Sequence, residues 1–224
     1  MFHQEVAGSD PSTGSGQALT YWKTITRDQS NLLETLISLL KEQGIRYCVI
    51  DGQAVNAYVE PLVSLDLDLA VAVDQMEKVT ALLESHFDVR RFPHRLNVGM
   101  PGSDLRVQIQ TDARYGPFVE RASTRTVLGM TLPVANLEDV LRGKIWAVMD
   151  PERRGSKRQK DLADIARILE KYPDLRTQVP QEIRARLHTS ARRPQVMRHL
   201  SERKRSDGLS AFRETGAGRA ILPV

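Results

Sequence analysis

The stretch Val49-Ile-Asp-Gly-Gln-Ala-Val-Asn-Ala-Tyr-Val-Glu-Pro-Leu-Val-Ser-Leu-Asp-Leu-Asp-Leu-Ala-Val-Ala-Val73 decides how the rest of the chain is read. It reads as the end of an apolar strand, a turn at Gly52, a short helix from Ala54 to Val59 stopped by Pro61, and a second strand over Val63–Val73. Residues two apart on a strand share a face. Asp66 and Asp68 therefore project from one side, about 7 Å apart at the usual rise per residue. The residues around them, Leu65, Leu67, Leu69, Val71 and Val73, are apolar and strand-forming. Two carboxylates on such a strand are costly to desolvate without a neutralising partner. A divalent cation is one such partner, since Mg2+ commonly takes one or two carboxylates and leaves room for substrate phosphate. The other reading is a half-buried strand whose polar face lies in water. Asp-x-Asp alone does not separate the two.

Before this stretch, Ile45–Ile50 reads as the first strand. It follows a helix that starts at Asp28 or Ser30, carries Leu32, Leu33, Leu36, Leu39 and Leu40, and closes at Gly44. Residues 1–20 are rich in Gly, Ser and Thr without periodicity and are expected to be disordered. After it, Asp74 is expected to cap a helix over 75–86. A hairpin over 87–98, a strand over 105–109, a short helix over 115–121 and two short strands over 126–132 follow. Asn136 caps a helix over 137–149. The basic run 151–160 reads as a loop before a helix over 161–172 that Pro173 ends. Residues 180–204 read as one more helix, very basic, and 206–224 as frayed. This mixture indicates an α/β (α+β) class: a mixed β-sheet flanked by helices, with a C-terminal helical extension. The expected organisation is a disordered 1–20, a domain over 21–175 and a basic tail over 176–224.

The composition, 41% hydrophobic and 27% charged over 224 residues, is that of an ordinary globular protein. No apolar run is long enough to span a bilayer, and the N-terminus lacks the basic and apolar segments of a secretory signal. The single cysteine, Cys48, lies in an apolar run and reads as a core residue, which fits a reducing, cytoplasmic location. The net charge of +4 is unevenly placed. Residues 181–224 carry ten Lys or Arg against four acids, a net of +6, which leaves the body at −2. Such a tail suits an anionic partner such as nucleic acid, and equally a solvated helix face. The five histidines show no metal-ligand spacing.

The order of these pieces resembles the nucleotidyltransferase fold superfamily, and more closely the minimal nucleotidyltransferases that include the AbiEii/AbiGii-type toxins. The resemblance rests on Gly52-Gln53-Ala54, Ser64 and Asp66-Leu67-Asp68, with Lys144 and Lys160-Asp161-x-x-Asp164 further on, and covers about residues 30–172. It implies transfer of a nucleoside monophosphate from an NTP, ATP among them, to a hydroxyl acceptor: RNA, a protein or a small molecule. Asp66 and Asp68 would hold Mg2+. Gly52 and Gln53 would meet phosphate through backbone N–H groups, with Ser64 beside them. Lys144 and Lys160 would neutralise phosphate charge. For Lys144 a solvated helix face is an equal expectation, and Asp161 reads alternatively as a helix cap. An antitoxin-like protein partner is implied, and no membrane.

The family pattern also brings a third carboxylate from a later strand. Here that strand is Asp104-Leu-Arg-Val-Gln-Ile-Gln110, and the expected position falls to Gln108. An amide cannot act as a base near neutral pH. Asp104 and Asp112 are the acids nearest in sequence. The alternative to an enzyme is therefore a catalytically silent member of the fold that binds nucleotide, nucleic acid or a partner protein.

Overall fold

The computed structural model describes residues 30–191, together with Gln17, residues 19–24 and Asp28. A boundary between two compact units falls between Gln178 and Val179. In the first unit, helix α1 (Leu32–Glu42) buries Leu32, Leu33, Leu36, Ile37 and Leu40. The buried Asp28 accepts the Leu32 N–H at 3.1 Å. Gly44, at φ 63°, ends the helix in the left-handed conformation expected of it.

Seven strands form one sheet in the order β3-β4-β5-β2-β1-β7-β6. They are β1 (Tyr47–Ile50), β2 (Asp66–Val71), β3 (Asp88–Phe92), β4 (Arg95–Gly99), β5 (Arg106–Gln110), β6 (Ser123–Val127) and β7 (Met130–Val134). The sheet is mixed: β2 runs antiparallel to β1 and parallel to β5, and β7 is parallel to β1. The register places Asp66 beside Arg106, Asp68 beside Gln108, and Gln108 beside Asn97 of β4. These side chains share one face. The opposite face presents Leu67, Leu69, Val107, Ile109, Leu96 and Val98, all buried.

The helices that position the site are α2 (Asp51–Asn56), α5 (Leu137–Met149) and α6 (Gly155–Lys171). Helices α3 (Met76–His86) and α4 (Gly116–Glu120) also belong to this unit. In the second unit, α7 (Gln181–Ala191) is the described part of the basic helix expected over 180–204. The remainder of that expectation, the frayed 206–224 and most of residues 1–20 lie outside the described residues.

Four local expectations are corrected. The turn at Gly52 is not a separate loop. Helix α2 begins at Asp51, and Asp51 rather than glycine takes the left-handed conformation, at φ 55°. Strand β2 starts at Asp66, not Val63. The preceding residues are held instead by side-chain amides: Asn56 bonds both backbone groups of Leu62, and Gln53 donates to the Ser64 carbonyl at 3.1 Å. Asp74 does not cap α3. It lies in a 3-10 turn over Val73–Gln75 and is ion-paired with Arg46 at 2.6 Å. Finally, α6 starts at Gly155, so Lys157, Arg158 and Lys160 stand on its first turns and Asp161 is interior to it rather than a cap.

Candidate active site

Strand β2 carries the two carboxylates to one wall of a cavity of about 490 Å3. Gly52, Ser64, Asp66, Asp68 and Gln108 line it, as do Arg106, Arg153, Lys157 and Lys160. Asp68 is 8% exposed. Burial, and then the neighbouring Asp51 and Asp66 carboxylates, push its pKa up to about 8. Asp66 Oδ1 is buried and accepts no hydrogen bond, with Arg106 Nε 3.6 Å away. Two carboxylates on one sheet face, one of them with a buried oxygen that accepts no hydrogen bond, can serve as cation ligands. The donors are hard oxygens, so Asp66 and Asp68 fit a divalent cation of the Mg2+ type.

Above this pair, three elements meet at Gly52. A Cβ built there would lie 3.8 Å from both Lys160 Nζ and Ser64 Oγ. The bare backbone is thus approached by an ammonium and a hydroxyl from α6 and from the loop before β2. Gln53 contributes differently from its neighbour. Its side chain is buried and braces the Ser64 carbonyl, which also accepts the Trp22 indole N–H at 3.1 Å.

Lys144 is 2% exposed, so the solvated-face expectation for it does not hold. Its ammonium is ion-paired with Asp51, with Asp161 at 3.1 Å and with Asp164 at 2.8 Å. Burial alone would lower its pKa, but the three carboxylates outweigh burial and hold it above the ordinary lysine range. Asp51 is the mirror case. Burial raises its carboxyl, while the charge and hydrogen bond of Lys144 bring it below its ordinary value. Arg153 reaches Asp161 Oδ2 at 2.7 Å, and Arg167 reaches Asp164 Oδ1 at 2.9 Å. Three acids and three bases therefore balance. Asp51, Asp161 and Asp164 offer oxygens within 4.8 Å of one another. The Lys144 ammonium already sits among them, so this cluster is not the metal centre.

Asp51, discounted in the sequence as repulsive to phosphate, and Arg153, read only as part of the basic run, both line the carboxylate cavity. Asp51 looks repulsive to phosphate until Lys144 is seen to neutralise it. The signal was available in α5. Leu137, Val140, Leu141, Lys144 and Val148 keep one helical spacing, which puts the lysine on the apolar side. Gln108 is paired with Asp68 across β2 and β5. Neither neighbouring acid replaces it. Asp112 is ion-paired with Arg114 at 2.8 Å, and Asp104 is not among the residues lining the cavity.

A family model described as nucleotidyl transferase AbiEii toxin, type IV toxin–antitoxin system, matches residues 53–219. The chain belongs to this family. The match takes in Ser64, Asp66, Asp68, Gln108, Lys144 and Lys160 of this nucleotidyltransferase-fold protein. Among solved structures, an antigenic nucleotidyltransferase-like protein from Paracoccidioides brasiliensis is 22% identical, with 80% of this chain and 92% of that one covered and a TM-score of 0.46. The antibiotic-resistance factor ANT(2'')-Ia, in complex with adenylyl-2''-tobramycin, is 12% identical, with 73% and 98% covered and a TM-score of 0.49. The lincosamide antibiotic adenylyltransferase LnuA, lincomycin-bound, is 14% identical, with 61% and 95% covered and a TM-score of 0.41. No curated protein matches. Among the described residues no helix is long and apolar enough to cross a membrane.

Proposed function

We propose that this AbiEii-family chain transfers a nucleoside monophosphate from an NTP, ATP among the candidates, to a hydroxyl acceptor in the cytoplasm. The observation that carries the reading is the convergence of the Asp66–Asp68 pair, the bare Gly52 backbone and Lys160 on one cavity. Asp66 and Asp68 would hold Mg2+, which would supply charge screening for the triphosphate and Lewis-acid chemistry there. Gly52 lets phosphate oxygens approach the backbone closely. Lys160 and Lys157 offset the phosphate charge, and Ser64 offers a hydroxyl. Lys144 serves one step back. It neutralises Asp51, so that this carboxylate does not repel the substrate.

In the reaction, the acceptor oxygen bonds to the α-phosphorus. The bond from that phosphorus to the α–β bridging oxygen breaks, and pyrophosphate leaves with the electron pair. The hydroxyl proton passes to solvent, since Gln108 cannot take it. Phosphoryl chemistry of this kind depends chiefly on positioning and charge stabilisation, so an amide at position 108 is compatible with activity. Membership of a family described as type IV toxin–antitoxin nucleotidyl transferases supports an antitoxin as partner; the acceptor in this reading is RNA, a protein or a small molecule.

A silent, nucleotide-binding protein is the second reading, favoured by Gln108 alone. Release of pyrophosphate from α-labelled NTP by the wild type with Mg2+ and a cell extract as acceptor source, absent in Asp66→Ala, supports transfer. Tight NTP binding without pyrophosphate release or label transfer supports the silent protein instead.

A further inference from the structure

A second compartment, of about 740 Å3, adjoins the carboxylate cavity and shares Asp51, Arg95, Gln110, Asp150, Glu152 and Arg153 with it. Its inner wall is of a different chemistry. Phe118 and Trp146 stack with centroids 5.6 Å apart and planes 18° apart, and Tyr115 meets Trp146 edge-on at 5.8 Å. The Arg114 guanidinium carbon lies 5.0 Å from the Trp146 ring centroid. Arg114 is 58% exposed, yet it is held in place. Its Nε and Nη2 both reach Asp112 Oδ2 at 2.8 Å, and its backbone N–H donates to the same carboxylate at 2.9 Å. The aromatic wall thus ends in an oriented, planar cation. Guanidinium planes and aromatic rings are the surfaces on which nucleobases stack.

We infer that this compartment is a nucleobase-binding subsite, in which a purine or pyrimidine ring stacks on the Arg114–Trp146 wall while phosphates occupy the neighbouring carboxylate cavity. The inference rests on the nucleotidyl-transfer reading and deepens it. A nucleotide divides into a polyanion and a flat ring. The two compartments differ in the same sense: one is lined by a carboxylate pair and basic side chains, and the other adds the Tyr115 and Trp146 rings to a charged rim. Gln110, on the shared rim, carries an amide that can both donate to and accept from a base edge. The ring comes from the NTP itself or from a nucleotide acceptor.

Calorimetric titration with Mg2+ tests this, using the four NTPs and inorganic tripolyphosphate on wild type, Arg114→Ala and Arg114→Lys. The lysine variant keeps the charge and removes the plane. Wild type is expected to prefer at least one NTP over tripolyphosphate by about tenfold. Both variants should lose most of that preference and keep their tripolyphosphate affinity, which assigns the ring to the NTP. A parallel titration adds a dinucleoside monophosphate to protein saturated with tripolyphosphate. A loss confined to this second titration also supports the subsite and assigns the ring to the acceptor. Ratios unchanged in both titrations overturn the subsite and leave the proposed function standing. A wild type that binds neither NTP nor tripolyphosphate overturns the proposed function and the subsite together.

Discussion

Asp51, the residue that turns β1 into α2 at φ 55°, is ion-paired with the buried Lys144 ammonium. A non-glycine residue at positive φ is uncommon, and such residues cluster where function over-determines the backbone. The pair joins the first turn of α2 to α5. Through Asp161 and Asp164 it reaches α6, which carries Lys157 and Lys160. One buried cation thus registers the helices that line the cavity.

Removing that cation leaves three acids without their shared partner. Lys144→Ala is expected to lower stability by about 3–5 kcal/mol, the usual cost of stripping one member from a buried ion pair. Urea denaturation of the variant measures this. A loss below about 1 kcal/mol would mean the cluster is not carrying the helix registry.

Gly52→Ala separates stability from function. The added Cβ meets Lys160 Nζ and Ser64 Oγ only at 3.8 Å, an ordinary contact, and the glycine is helical. Thermal stability should rise by about 0.5–1 kcal/mol, as for Gly to Ala within a helix. NTP affinity should fall, because the methyl group occupies the phosphate approach. An alanine variant that binds NTP as well as wild type would remove Gly52 from the site.

Cation binding at Asp68 is expected to depend on pH. Its pKa is raised to about 8, so below that value the cation must displace a proton. Mg2+ affinity is expected to climb with pH up to about 8 and then level off. Calorimetry in buffers of different ionisation heat should count protons released at pH 7. The sign for stability is opposite. A folded pKa above the ordinary carboxylate value means the folded state holds the proton longer. The metal-free protein should therefore lose stability as pH rises from about 4 to about 8.

Gln108→Asp restores a third carboxylate directly beside Asp68 across the strand pair. Without metal the variant should be less stable than wild type, through like-charge repulsion on one sheet face. With Mg2+ it should bind the ion more tightly. Denaturation midpoints with and without Mg2+ check both. A Mg2+-induced shift of the midpoint no larger in the variant than in wild type would show that position 108 does not face the ion.

Much of this was legible in the sequence because period-2 and helical patterning report burial directly. The apolar strands, the Asn136 cap and the common face of Asp66 and Asp68 follow from local spacing, and the family resemblance points to Gln108 on a later strand. Asn136 does accept the Asp139 N–H, at 2.8 Å. What stayed hidden depends on contacts distant in sequence. Val63 looks like strand, but Asn56 and Gln53 take up the backbone groups around it. The basic run before Asp161 looks like loop, but it opens a helix. Asp51 looks unfavourable until Lys144, ninety-three positions on, is brought to it. The aromatic wall was equally invisible, since Arg114 and Trp146 meet only in the fold.

The most direct test of the account is calorimetric titration of NTP, with and without Mg2+, on wild type and on the Asp66→Ala/Asp68→Ala variant. The account predicts wild-type binding that requires Mg2+ and is abolished by the double substitution in a folded protein. Binding that survives the double substitution, or that needs no metal, would contradict it and move the nucleotide site away from the β2 carboxylates.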